Sequence, residues 1–280
     1  MKITKDRWIV NTYPYWHYTL DYGMDSIAAA GFGGIELWGV SPHYCLADYS
    51  EQERVARRPE ILEMMADRGL RMPVYYPEQS SCYPLNIASP NPVIRDKSLH
   101  ILEESVADAE QFGAKIMITA PGHHFHDDED PENYTRTVEG LRQLCACAKE
   151  HGIILAAEEW PAFMCTYATD LEALRKLKDD VGCGNFGICL NTGEMHEKGE
   201  SVQEYLDAFG PDLIHVHIAD TGSRPVGSGQ DSAADLKTLE DSGYSGLLSL
   251  TIQFRDVCVA PDKPVLASAQ WLAKNGYFNS

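Results

Sequence analysis

The stretch KIMITAPGHHFHDDEDPENYTRTVEGLRQLCACAKEHGIILAAE, residues 115–158, contains one full period of the pattern on which the fold turns. It opens on a short apolar run, KIMITA (115–120), which reads as a strand. A polar loop follows. Then comes TRTVEGLRQLCACAKEHG (135–152), with apolar residues at helical spacing and a glycine just before the next run, as at a helix C-terminus. IILAAE (153–158) is a second strand. Strand, helix and strand in this order imply a parallel sheet covered by helices.

The same alternation extends in both directions. Upstream lie RWIVN (7–11), GGIELWG (33–39) and MPVYY (72–76); downstream lie FGICLN (186–191), LIHVHI (213–218) and LLSLTI (247–252). Helical patterns separate them, among them RRPEILEMMADRGL (57–70), SLHILEESVADAEQFG (98–113) and DLEALRKLKDD (170–180). Eight units in 280 residues give 280 / 8 = 35 residues each, the size of a strand, a helix and two loops. This α/β alternation predicts a single (β/α)8 TIM barrel over residues 1–280. A doubly wound dinucleotide-binding sheet would carry G-x-G-x-x-G after the first strand, and that motif is absent.

Composition narrows the function classes. Lys and Arg number 23 against 42 Asp and Glu, a formal charge of −19, which argues against a phosphate backbone or an anionic lipid surface as partner. An apolar fraction of 44% with 10% aromatics is ordinary for a globular chain. No apolar run reaches the length of a membrane span, and MKITKDRWIV lacks the pattern of a signal peptide, so a cytoplasmic protein is expected. The eight cysteines are scattered, as free thiols are, and Cys145-x-Cys147 has the wrong spacing for a zinc knuckle.

Alternate strand residues point into a barrel, and those at the C-terminal strand ends line its mouth. On the seventh strand Ile214, Val216 and Ile218 share one parity, which leaves His215 and His217 facing inward. The same count puts Glu158 at the end of the fifth strand, Asn191 at the end of the sixth, and Ser249 and Thr251 inward on the eighth. Glu36 and Trp38 are inward on the second, and His123 follows the fourth. Glu158, Asn191, His217 and His123 are thus expected at one rim, where barrel function concentrates.

At these residues the chain resembles the xylose-isomerase-like barrel family of sugar isomerases and epimerases, and within it the fructoselysine 3-epimerase-like and tagatose 3-epimerase-like branch. GGIELWGVSPH (33–43), YYPEQSSCYPLN (75–86), HVHIADTGSRPVGSG (215–229) and GYSGLLSLTI (243–252) carry the likeness. The resemblance implies one divalent metal, manganese or magnesium, held by a glutamate, an aspartate, a histidine and a second glutamate from strands five to eight. The first glutamate falls on Glu158 and the histidine on His217, but the aspartate is Asn191, a motif histidine is Glu194 and the second glutamate is Thr251. Hard divalent ions want carboxylates, so a metal at Glu158, His217, Asn191 and Glu194 is expected to be altered or lost.

The resemblance also implies substrate contacts at Glu78, His123 and Arg224, with Glu158 as the acid/base group, and Trp38 at a strand end offers a sugar an aromatic face as a further substrate contact. Trp16, Tyr76, Tyr83, Trp160 and Phe163 are further aromatics whose faces could stack on a sugar. HHFHDDEDPE (123–132) reads, apart from His123, as a solvated loop leading into a helix. Two functions compete on these residues. One is a sugar or sugar-derivative isomerase or epimerase-like enzyme moving a proton next to a carbonyl. The other is a non-catalytic carbohydrate-binding barrel or a subunit of a larger enzyme complex. A small carbohydrate is the expected partner in either case, with a homodimer allowed.

Overall fold

A computed structural model of the protein describes residues 2–79, 85–127 and 130–279; Cys82, Tyr83, Asp128 and Glu129 lie outside them. The strands are β1 (Trp8–Asn11), β2 (Gly34–Gly39), β3 (Arg71–Pro77), β4 (Ile116–Thr119), β5 (Ile154–Glu158), β6 (Phe186–Asn191), β7 (Leu213–Ile218) and β8 (Leu247–Leu250). Each pairs in parallel with the next and β1 pairs with β8, so the sheet closes into an eight-stranded barrel. The predicted (β/α)8 TIM barrel is the observed fold.

The helices among the described residues are α1 (Leu20–Ala29), α2 (Glu51–Ala66), α3 (Pro92–Gln111), α4 (Glu132–Glu150), α5 (Leu171–Val181), α6 (Thr192–Lys198), α7 (Val202–Phe209), α8 (Asp231–Asp241) and α9 (Asp262–Lys274). Their ends follow local chemistry. Ser50 and Glu53 form a reciprocal cap that starts α2 at Glu51, ahead of the expected Arg57, with Pro59 accommodated inside the helix. Asp170 caps α5, which ends where Gly182 takes the left-handed conformation.

The strands are buried on both faces, as expected of a parallel sheet under helices. One apolar layer lies between sheet and helices, with Leu102 and Val106 from α3, Leu141 and Leu144 from α4, and Leu174 and Leu177 from α5. The inside of the barrel is different: Glu36, His215 and His217 are fully buried there beside Cys189. The run expected as strand to Ile252 leaves the ladder after Leu250, although the Thr251 N–H still donates to the Ile218 carbonyl at 3.1 Å. Among the described residues no helix is long and apolar enough to cross a membrane, and every cysteine is a free thiol.

Candidate active site

Strand ends bring the polar residues together. Glu158 is the last residue of β5, Asn191 the last of β6, and His217 the penultimate residue of β7. Three donors converge on the Glu158 carboxylate: Asn191 Nδ2 at 2.8 Å and His217 Nδ1 at 2.7 Å on Oε1, and the Tyr76 hydroxyl at 2.7 Å on Oε2. Behind it, His217 Nε2 lies 2.9 Å from Glu36 Oε1, and His215 Nε2 donates to Glu36 Oε2 at 2.8 Å. Asn11 Nδ2 completes the set, 2.6 Å from Glu36 Oε1. A continuous buried network thus runs from β1 and β2 across the barrel interior to β5.

The partners fix the charges. Both His217 nitrogens face carboxylate oxygens, so both must donate, and the ring is an imidazolium. Burial opposes that charge, but Cys189, Glu36 and Glu158 outweigh it and hold the His217 pKa well above the usual imidazole value. Burial likewise opposes ionisation of Glu36, and the two histidines overcome it and keep the carboxyl ionised. His215 stays neutral because burial lowers its pKa; its Nδ1 has no partner among the described residues. Tyr76 keeps its proton, since burial and the neighbouring Glu158 both raise its pKa.

Asn191 is oriented by the helix that follows it. Its Oδ1 accepts the backbone N–H groups of Gly193 (3.1 Å) and Glu194 (3.4 Å) at the start of α6. A backbone N–H can only donate, so the amide oxygen is committed to the cap and the NH₂ faces Glu158. An amide nitrogen does not ligate a cation. Thr251 directs its hydroxyl at the Ser249 carbonyl, 3.3 Å away. The donor set at the four family positions therefore holds one carboxylate, one imidazole, an amide whose oxygen caps α6 and a hydroxyl, which does not fit a hard divalent ion. Cys189, His215 and His217 lie close enough together to suggest a softer metal, but both histidine Nε2 atoms are turned to Glu36.

A cavity of about 1030 Å³ opens above this network. Glu158, Asn191 and Asn11 form its floor, and Trp38, Tyr76, His123, Trp160 and Phe163 are among its walls. Trp38 is stacked on Tyr13 (4.8 Å between ring centres) and edge-on to Trp16 (5.3 Å), which packs behind it. His123 is half-buried, and desolvation together with His124 and His126 lowers its pKa, favouring the neutral ring. Glu194 lies on the first turn of α6 in the cavity wall, where burial raises its pKa.

Two expected contacts lie elsewhere. Glu78 is buried in a small separate crevice with Cys45, Leu46 and Ser105, while its neighbour Gln79 faces the cavity. Arg224 is exposed on a turn whose backbone pairs with Asp220; the arginine on the cavity wall is Arg255, beyond β8. Glu159 turns its side chain to Lys198 and Tyr205, and burial pushes its carboxyl up to about 7 despite them. In the loop before α4, Phe125 is exposed, and Asp130 accepts the Glu132 N–H and pairs with Arg136. Sequence reading missed the grip of Glu36 on both histidines and the role of Tyr76 as a donor; inward parity on β2 was the one signal for Glu36.

Comparison with known proteins agrees with this architecture. Residues 24–275 match the family model described as xylose isomerase-like TIM barrel, and the chain belongs to that family. It is similar to fructoselysine 3-epimerase of Shigella flexneri, 23% identical over 81% of this chain and 83% of that protein. It is also similar to an uncharacterized protein of Methanocaldococcus jannaschii, 22% identical over 83% of this chain and 78% of that one. Among solved structures, a D-psicose 3-epimerase crystallised in the presence of D-fructose superposes with a TM-score of 0.77 at 19% identity, covering 97% of this chain and 98% of its own.

Proposed function

We propose that this chain is a sugar or sugar-derivative isomerase or epimerase-like enzyme that moves a proton next to a carbonyl, with Glu158 as its acid/base group and without the family's divalent-metal site. The observation that carries the proposal is the Glu158 carboxylate, fixed by three donors at the floor of a cavity of about 1030 Å³. A carboxylate has about four lone-pair directions, so one is left for a substrate proton. Fixing the group in advance lowers the cost of orienting it in the transition state. The epimerase names of the relatives support the substrate class.

His217 does not face the substrate as an electrophile in this arrangement. It serves as a fixed cation behind Glu158, linking it to Glu36. Thr251 supplies no second carboxylate, so the chemistry that fits is a one-base transfer through an enediol, with His123 and Trp38 as substrate contacts. The same reading takes residues 1–280 as one domain in the cytoplasm acting on a small carbohydrate, and it leaves room for a homodimer.

Asn191 and Thr251 favour a second reading, a non-catalytic carbohydrate-binding barrel or a subunit of a larger complex. One experiment separates the two: proton exchange from D₂O into a panel of ketoses, aldoses and 3-keto sugars, followed by NMR. Exchange next to the carbonyl that falls by roughly 10²–10⁴ in Glu158→Gln supports the enzyme. Exchange untouched by that substitution removes Glu158 from its role. No exchange with any sugar supports the non-catalytic barrel.

A further inference from the structure

The cavity is polar at its floor, and its outer wall carries apolar side chains beside the exposed Glu197 and Arg255. Phe163 and Met164, from the loop after β5, and Phe254, after β8, line the same space as Glu158 and Trp160. Phe163 is 83% exposed, the most exposed large apolar side chain among the described residues. It sits on a turn whose base is closed by bonds from Met164 N and Cys165 N to the Pro161 carbonyl. The Cys165 thiol anchors that turn to the Gly122 carbonyl at 3.1 Å. An ordered turn therefore holds an aromatic face in water at the rim of the site. Scattered exposed apolar residues need no explanation, but apolar side chains gathered at the mouth of a cavity mark a ligand surface.

Size points the same way. A cavity of about 1030 Å³ just exceeds the ~300–1,000 Å³ range that holds drug-sized ligands, and a free monosaccharide is smaller than those.

We propose that the ligand is a sugar bearing an aryl substituent, with the sugar on the Glu158 floor and the aromatic ring against Phe163, Met164 and Phe254 at the mouth. The proposal rests on the reading that the sugar binds at Glu158. Aromatic faces favour a planar ring because offset or edge contacts between π-systems add to plain burial. Methionine adapts to such a ring through its flexible, polarisable thioether.

The test is calorimetric titration of the full chain with paired methyl and phenyl glycosides of 3-keto-D-glucose, 3-keto-D-galactose and 3-keto-D-xylose, which keep a carbonyl in the sugar. Phenyl compounds are expected to bind roughly tenfold more tightly than their methyl partners, and Phe163→Ala is expected to remove about 3–10-fold of that advantage. Glu158→Gln should weaken both members of a pair alike. Equal affinities within every pair, no binding of any phenyl glycoside, or an advantage unchanged by Phe163→Ala and by Phe254→Ala, each overturns the aryl subsite. An altered sedimentation profile for Phe163→Ala without any change in the phenyl advantage overturns it too, and assigns the side chain to contact between copies of the chain. A phenyl advantage lost in Phe163→Ala while Glu158→Gln changes neither affinity supports the aryl subsite and refutes the placement of the sugar at Glu158.

Discussion

Replacing Asn191 by Asp exchanges one NH₂ group for an oxygen and leaves the rest of the local structure its reasons to persist. One carboxylate oxygen can still accept the Gly193 and Glu194 N–H groups, so the cap on α6 survives. The other oxygen takes the place of Nδ2, 2.8 Å from Glu158 Oε1. Two unit charges at that distance repel by about 6 kcal/mol at an effective dielectric constant of ~20, and a hydrogen bond to a charged group worth about 1.5–3 kcal/mol is lost. The pair escapes part of this by sharing a proton. Holding that proton on groups that ionise near pH 4 when unfolded costs about 1.4 kcal/mol per pH unit above 4, for an expected loss of about 5–6 kcal/mol at about pH 8.

The sign follows from linkage. The folded pair has a raised pKa and binds more protons than the unfolded chain above about pH 4, so the variant regains stability as pH falls towards 4 and loses it as pH rises. Urea unfolding of both proteins in metal-free buffer, at about pH 5.5 and about pH 8, measures the difference. The gap between variant and wild type should widen at the higher pH. Added Mn²⁺ should narrow it, because the variant has regained a second carboxylate. A variant as stable as wild type at the higher pH, without metal, would refute the assignment of Asn191 as a donor to Glu158.

Two further substitutions probe the surroundings. Tyr76→Phe removes the donor on Glu158 Oε2 and is expected to lower stability by about 1–3 kcal/mol, read from the shift in urea midpoint. Glu159→Gln tests the buried carboxyl beside Lys198 and Tyr205, whose pKa of about 7 lies above its unfolded value. The stability this group contributes is fully present below about pH 4.5 and is lost as pH rises through 7. The wild type should therefore lose on the order of 3 kcal/mol between those values from this residue alone, and the Gln variant should lack that slope.

Much of the scaffold was legible because a strand or helix records its own surroundings. The runs at 186–191 and 213–218 coincide with β6 and β7, and parity on β7 correctly turned His215 and His217 inward. Helix starts were less legible: the one at Ser50 depends on a cap whose partner is three residues away, and α2 continues through Pro59 because packing outweighs a lost hydrogen bond. Loops were least legible. Glu78 and Gln79 are adjacent, yet one lies in a side crevice and the other in the cavity, and Arg255 occupies the wall where Arg224 was expected.

By itself, then, the sequence determined the alternation of strand and helix, the closure into eight units and the inward set of polar residues, since each follows from local periodicity and length. Only the tertiary structure decided what those polar residues do. Glu36 lies 179 and 181 positions from the histidines it grips, so the contact exists only because the barrel closes and brings β2 across from β7. The amide of Asn191 faces Glu158 with its nitrogen because α6 claims its oxygen, a choice made by two backbone N–H groups and not by the residue type. A side chain's chemistry is written in the sequence, but its partners, and with them its charge and direction, are set by what the fold places within 3 Å of it.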